Sequence, residues 1–423
     1  MKAQEKIDVI CFGREIGRLA WNQQRSETTF QYNPDYLTKG IYSQLIPETG
    51  VVKKTKAPQV FRSLDRGSFR GLPSVFADSL PDEFGNRLFK TWLDAQKKFR
   101  EVSALEQLTY VAHRGMGAFE YKPAKPLSAR NAIHLDEVVS VLKKVLESKE
   151  DISKLGIDES ALLTLYKVGT SAGGVRPKVL ISENVLTGKM IPGDINHTSD
   201  YHHYLVKLHL DEELGYHRER IEYAYYHTTT QLGIEMSDSK LMDDKHFATL
   251  RFDRINGRKI HVLTASGLTG WDFKDPLVSS YENLFDLALF LKLPHVEIEQ
   301  LFRRMIFNLV YANLDDHLKN HSFRYDQEND KWHLAPAYDI TYALNPLLHF
   351  TKTSRALSIN GKRTDIVHSD ILELASKYTI RDAKGIIKNT INGIDLFRQT
   401  AKDLDIEENV IAGMMKGFWK GRG

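Results

Sequence analysis

Cysteine is almost missing from this chain: Cys11 stands alone among 423 residues. A single thiol excludes an internal disulfide framework and fits a reducing compartment such as the cytosol. Long apolar runs are missing too. No stretch reaches the roughly 18 consecutive apolar residues that a membrane helix needs. The opening "MKAQEKIDVICFG" has too short an apolar run before Gly13 to read as a secretory signal. An excess of one charge is also absent, since 58 basic and 55 acidic side chains leave only +3, which argues against a broad nucleic-acid footprint. What remains is a 42% hydrophobic, 27% charged chain of ordinary globular composition. It is long enough for about two or three domains, and no membrane partner is expected.

The pattern changes along the chain. "IDVICFG", "IGRLAW" and "TTFQY" are β-branched and aromatic runs broken by turns, hence strands. In "GLPSVFADSLPDEFGNRLFKTWL", Asp82 is placed to cap a helix whose Phe84, Leu88, Phe89 and Trp92 recur at helical spacing. A Pro-rich connector closes this module, giving a first unit over residues 1–130. Residues 131–263 mix helix and strand, with "HFATLRFDR" and "RKIHVLT" expected to pair around "INGR". Residues 264–423 read as helical. There Ile298, Leu301, Phe302, Met305, Ile306, Leu309 and Val310 step at i, i+3, i+4, i+7, i+8. The expected fold class is α+β and two-lobed, with a β-rich N-terminal lobe and an all-helical C-terminal lobe.

Polar chemistry gathers just past the lobe border, in "ANLDDHLKNHSF". Asp315 and Asn320 are spaced as in a phosphotransfer catalytic loop, where Asp faces the acceptor hydroxyl and Asn holds a metal. The same residues also suit a capped helix end. A hydrolytic metal centre built from Asp315, Asp316, His317 and His321 is a third reading. Downstream, "SFRYDQENDKWHL" can fold back as a hairpin and return Asp339 to Asn320. Upstream, "VGTSAGGVRPKVLI" offers two glycines and successive amides for phosphate, or simply a hairpin turn. Lys207, within an apolar strand, needs an anion or an edge, and Glu222 on the following helix is a candidate partner. In "TLRFDR", backbone groups can meet an adenine, while Arg251 and Asp253 also read as an exposed pair. The order of these features is that of a protein-kinase-type phosphotransferase using ATP and Mg²⁺.

On "SAGGVRPK", "YLVKL", "LRFDR", "NLDDHLKNHSF" and "LAPAYDI", together with "GLPSVFADSLPDEFGNRL" and "VAHRGMGAFEYKP", the chain resembles the HipA family. These are bacterial serine/threonine-protein kinases, the toxin halves of HipBA toxin–antitoxin pairs. The resemblance implies a HipA-like two-lobed kinase fold behind a HipA-type N-terminal domain. It implies Asp315 as catalytic Asp, with His317 and Lys319 in the same loop and Lys207 orienting phosphates. It assigns Asn320 and Asp339 to Mg²⁺, and Ala172, Gly173 and Gly174 to the ATP phosphates. Leu250, Phe252 and Asp253 fall at the adenine hinge, and Ser171 aligns with a serine that members autophosphorylate. Where other members read "AQEK", this loop reads "VRPK". The partners implied are a protein substrate, with an aminoacyl-tRNA synthetase as precedent, and a HipB-like helix-turn-helix antitoxin through which DNA would be met indirectly. The location implied is the cytoplasm. A co-repressor with a vestigial site and a small-molecule kinase are the competing readings.

Overall fold

The computed structural model describes residues 6–22, 24–25, 27–62, 67–81, 83–95, 102–125, 133–147, 165, 176–193, 198–210, 214–350 and 353–421. The chain opens with β1 (Lys6–Cys11) and β2 (Arg14–Asn22), closed into a hairpin by Phe12 and Gly13 at φ 49° and 72°. Two left-handed residues give the turn whose twist matches that of the strands. β3 (Glu27–Tyr32) and β4 (Gln59–Phe61) extend the sheet on one side, and β5 (Phe119–Lys122) pairs with β1 on the other. Alternate residues Ile7, Val9 and Cys11 face the core, the period-2 signature of a half-buried strand. Helices Glu83–Ala95 and Ala104–Val111 follow, the second capped by the Ser103 hydroxyl accepting from Glu106 N–H at 3.1 Å. Asp82, the expected cap of the first, lies outside the described residues.

A second antiparallel sheet has the order β7-β6-β8-β10-β9. Its strands are β6 (Lys178–Asn184), β7 (Met190–Pro192), β8 (Tyr201–Lys207), β9 (Ser239–Met242) and β10 (His246–Leu250). Helix Arg218–Gln231 crosses between β8 and β9. The expected pairing of "HFATLRFDR" with "RKIHVLT" around "INGR" is confined to the residues beside the turn, where Arg254 lies opposite Lys259. β10 lies between β8 and β9, while β11 (Arg254–Ile255) pairs only with β12 (Arg258–Lys259).

β13 (His261–Thr264) belongs instead to the C-terminal lobe, in a three-stranded sheet with β14 (Ser322–Asp326) and β15 (Lys331–Leu334). That lobe is therefore not all-helical as expected, and a boundary at residue 263 would cut a strand. The hairpin expected in "SFRYDQENDKWHL" is β14–β15. Helix His295–Val310 buries every apolar position read from its periodicity. One hydrophobic core runs from the first sheet (Val9, Phe30) and Phe76 of the short helix Ser74–Ala77 through Leu263 and Leu268 into the C-terminal helices (Leu301, Phe397). A separate core joins Phe84 and Leu88 to helix Leu135–Glu147 and the inner faces of β6, β8 and β10. The N-terminal module is thus packed on both lobes, and its position is set by burial rather than by a linker.

Candidate active site

Helix His295–Val310 ends because Ala312 takes a left-handed φ of 53°, which turns the chain out of the core. Adjacent residues then point opposite ways. Asp315 is exposed, whereas Asp316 is buried, accepting from Tyr281 Oη at 2.6 Å and Arg355 Nη2 at 2.5 Å. A short 3₁₀ turn, Leu318–Asn320, brings Asn320 back so that its Nδ2 donates to the Asp315 carbonyl at 2.9 Å. This leaves the Asn320 Oδ1 as the oxygen available to a ligand.

Asp339 comes home to this loop along β14–β15. Tyr338 Oη donates to the Lys319 carbonyl at 2.6 Å, which ties the two segments together. Asp339 itself has φ 55°, a strained conformation that a non-glycine residue holds only when its surroundings demand it. Its carboxylate is bonded to Lys207 Nζ. Lys207, at the end of β8, also donates to Glu222 Oε1 at 2.5 Å, so one buried ammonium bridges a helix carboxylate and the returning aspartate. Burial alone would lower the Lys207 pKa, but the Asp339 and Glu222 charges outweigh it and the pKa is raised. Against the same loss of hydration, Lys207 and Lys178 hold Asp339 far below the usual carboxylate range. Glu222 moves up, because burial and the Asp339 charge exceed the pull of Lys207. Asp315 also moves up, through lost hydration and the nearby charges of Asp339 and Asp316, partly offset by His317.

Of the other loop residues, His317 packs on Phe273 with ring centroids 5.1 Å apart, and Lys319 Nζ lies 5.0 Å from the same ring. Phe252 reaches the site through Tyr338, at 5.8 Å between centroids. Leu250 is half-buried beside it, but its N–H is used by Asp238 at 2.8 Å, as that of Arg251 is by His203 at 2.8 Å. Hence an adenine at this edge would depend on the carbonyl of Leu250 and the groups of Phe252. Asp253 is fully buried, so the reading of an exposed Arg251–Asp253 pair is corrected. Its oxygens accept from Arg251 (2.8 Å twice), Arg254 (2.8 Å) and the Gly117 N–H (2.8 Å), leaving it no lone pair aimed at a ligand. Gly117 is required there: a Cβ would meet the Val262 carbonyl at 2.8 Å. Ser171, Ala172, Gly173 and Gly174 lie outside the described residues.

The hydrolytic metal centre does not form. Asp316 is committed to Arg355 and Tyr281, and His321 is buried, its pKa lowered to about 4 by loss of hydration. Among the described residues, no group of three or more His, Cys, Asp or Glu side chains could hold a metal. A carboxylate and an amide oxygen, Asp339 and Asn320, do suit magnesium, which takes one or two protein oxygens and completes its shell with phosphate and water. Tyr281 and Arg355 had no sequence signal, because their contact with Asp316 spans 35 and 39 residues.

Two family models match the chain. The HipA N-terminal domain covers residues 7–122 and the HipA-like C-terminal domain covers residues 170–396. A chain of the Shewanella oneidensis MR-1 toxin–antitoxin complex of HipA, HipB and operator DNA superposes with TM-score 0.65 at 14% identity. The match covers 97% of this chain and 94% of that one, and at that identity it speaks for the fold. The Helicobacter pylori proinflammatory kinase CtkA gives a TM-score of 0.34 at 12% identity, over 58% of this chain and 92% of that one, too loose to bear on it. No curated protein matches. No helix among the described residues is long and apolar enough to cross a membrane. The C-terminal model alone spans more than half of the 423 residues, and with the N-terminal model ahead of it the chain belongs to the HipA family.

Proposed function

We propose that this protein transfers the γ-phosphoryl group of ATP to a serine or threonine hydroxyl of another protein. The observation that carries the reading is the bridge of Lys207 between Glu222 and Asp339, facing a loop in which Asn320 holds the backbone of Asp315. Lys207 orients the phosphates, and Glu222 keeps its ammonium in place. Asn320 and Asp339 would hold Mg²⁺, which would supply charge neutralisation on the β- and γ-phosphates. Asp315 aims the acceptor hydroxyl and takes its proton. The acceptor oxygen bonds to the γ-phosphorus while the bond to the β–γ bridging oxygen breaks, and ADP leaves with that electron pair. His317 and Lys319 flank Asp315, with Lys319 adding positive charge on the acceptor side. Most of the rate comes from such positioning and charge placement.

In the same reading, Ala172, Gly173 and Gly174 cover the phosphates and Leu250 with Phe252 borders the adenine. Phosphorylation of Ser171 would add about −1.5 to −2 charge beside that loop and repel ATP. The protein is a toxin whose N-terminal module docks a HipB-like antitoxin. A solved complex of HipA, HipB and operator DNA with this fold supports that partner, and the near-neutral charge of +3 fits contact with DNA only through it. The test is incubation of cell-extract proteins with labelled ATP and wild-type or Asp315→Asn protein, followed by identification of the labelled species, aminoacyl-tRNA synthetases included. Label that depends on Asp315 supports the proposal. Equal labelling by both proteins, or label only on sugars or aminoglycosides, overturns it.

A further inference from the structure

Beneath the catalytic loop lies an ion pair that phosphoryl transfer does not itself use. The side chains of Asp316 and Arg355 are each 1% exposed, and Arg355 Nη2 donates to Asp316 Oδ2 at 2.5 Å. The same oxygen accepts from Tyr281 Oη at 2.6 Å, which in turn accepts from Asn308 Nδ2 at 3.0 Å. Asn308 Oδ1 accepts from Asn313 Nδ2 at 3.0 Å, and the Ala356 N–H donates to the Leu314 carbonyl at 2.8 Å. Three loop positions on the two sides of Asp315 are therefore fastened. Asn313 is tied back to helix His295–Val310, and Leu314 and Asp316 are tied across to residues 355 and 356. Asp315 is left exposed, its backbone held on both sides.

Stability alone is a poor account of this pair. A buried ion pair seldom outdoes a well-packed apolar replacement, whereas breaking one by removing a single partner is costly. What the pair does provide is one allowed position for the loop, since Asp316 cannot leave Arg355 without stranding a buried charge. Arg355 belongs to the chain that returns after Asp339, so the pair joins the two segments that carry the site's carboxylates. We propose that Asp316 and Arg355 are positioning residues: their pair fixes the backbone of Asp315, and with it the aim of the reacting carboxylate. The proposal rests on the reading of Asp315 given above.

The test compares wild type, Arg355→Met and the double variant Asp316→Leu/Arg355→Met. Each is measured for melting temperature, ATP affinity, kcat for phosphotransfer and hydrogen exchange over residues 312–323. The single variant should lose about 100-fold in kcat, the scale of a 1 Å misplacement. Its ATP affinity should be unchanged and its exchange in that segment faster. The double variant, which strands no charge, should recover melting temperature but neither kcat nor slow exchange. Recovery of all three would make the pair merely structural and overturn the proposal, as would an unchanged kcat and exchange in Arg355→Met. If wild-type protein transfers no phosphate, the kinase reading fails separately. The exchange comparison then decides the latch alone, and unchanged protection refutes it.

Discussion

Asn in place of Asp253 keeps the side chain's shape and removes its charge from the junction between the hinge and the N-terminal module. In the folded protein that carboxylate faces two guanidinium groups, Arg251 and Arg254, each 1% exposed, while it is itself 0% exposed. Asn still accepts from the Gly117 N–H but leaves both arginines buried, close together and without their counter-charge. Breaking a buried pair in this way costs about 3–5 kcal/mol, and two stranded cations place the expected loss at the upper end. At roughly 2–4 °C per kcal/mol for a cooperative unit of about 150–250 residues, the melting temperature should fall by about 10 °C or more. The acid response follows from the same contacts. Arg251 and Arg254 hold the Asp253 pKa far below the usual carboxylate range, against the opposing effect of burial. Its contribution is therefore complete above about pH 4, the unfolded carboxylate pKa, and is lost as pH falls towards the folded value. Urea and thermal unfolding of wild type and Asp253→Asn, alongside nucleotide titrations of the folded proteins, measure both effects. Destabilisation with unchanged nucleotide affinity is expected. A loss below about 1 kcal/mol together with weakened nucleotide binding would refute the argument and return Asp253 to the hinge.

Four buried histidines make the protein sensitive to mild acid. His203, His246 and His321 have pKa values lowered to about 4 and His261 to about 3, each first by loss of hydration. Between about pH 5 and 6.5 the unfolded chain binds protons on these rings and the folded chain does not, so stability falls with pH by up to ~1.4 kcal/mol per histidine per unit. Denaturant midpoints across that window check this, and a flat profile would contradict it. Lys207→Met should abolish phosphotransfer and also destabilise, because Glu222 and Asp339 lose the cation between them. Glu222→Gln keeps one acceptor for Lys207 and should raise KM for ATP more than it alters melting. Steady-state kinetics and thermal melts of the two variants separate these effects.

Much of the site was legible in the chain because its parts are local. The spacing of Asp315 and Asn320, the β14–β15 hairpin that returns Asp339, and the Lys207–Glu222 pair each lie within a few dozen residues. Their partners follow from strand alternation, turn chemistry and helix periodicity. Asp316 was legible only as one more carboxylate. Whether it ligated a metal or anchored the loop depended on Arg355, 39 residues onward. Asp253 looked like half of an exposed pair because the arginines beside it are visible in sequence, whereas Gly117, 136 residues away, is not.

The sequence by itself determined most element types and their order, since hydrophobic period and turn residues act over a few positions. Tertiary structure alone decided which strand lies beside which, placing β13 against β14 of the C-terminal lobe rather than in the sheet of β6–β10. It likewise decided which of two adjacent aspartates is exposed and which is buried. Both outcomes turn on where distant segments bury their apolar faces and satisfy their charges, and no local pattern of residues carries that information.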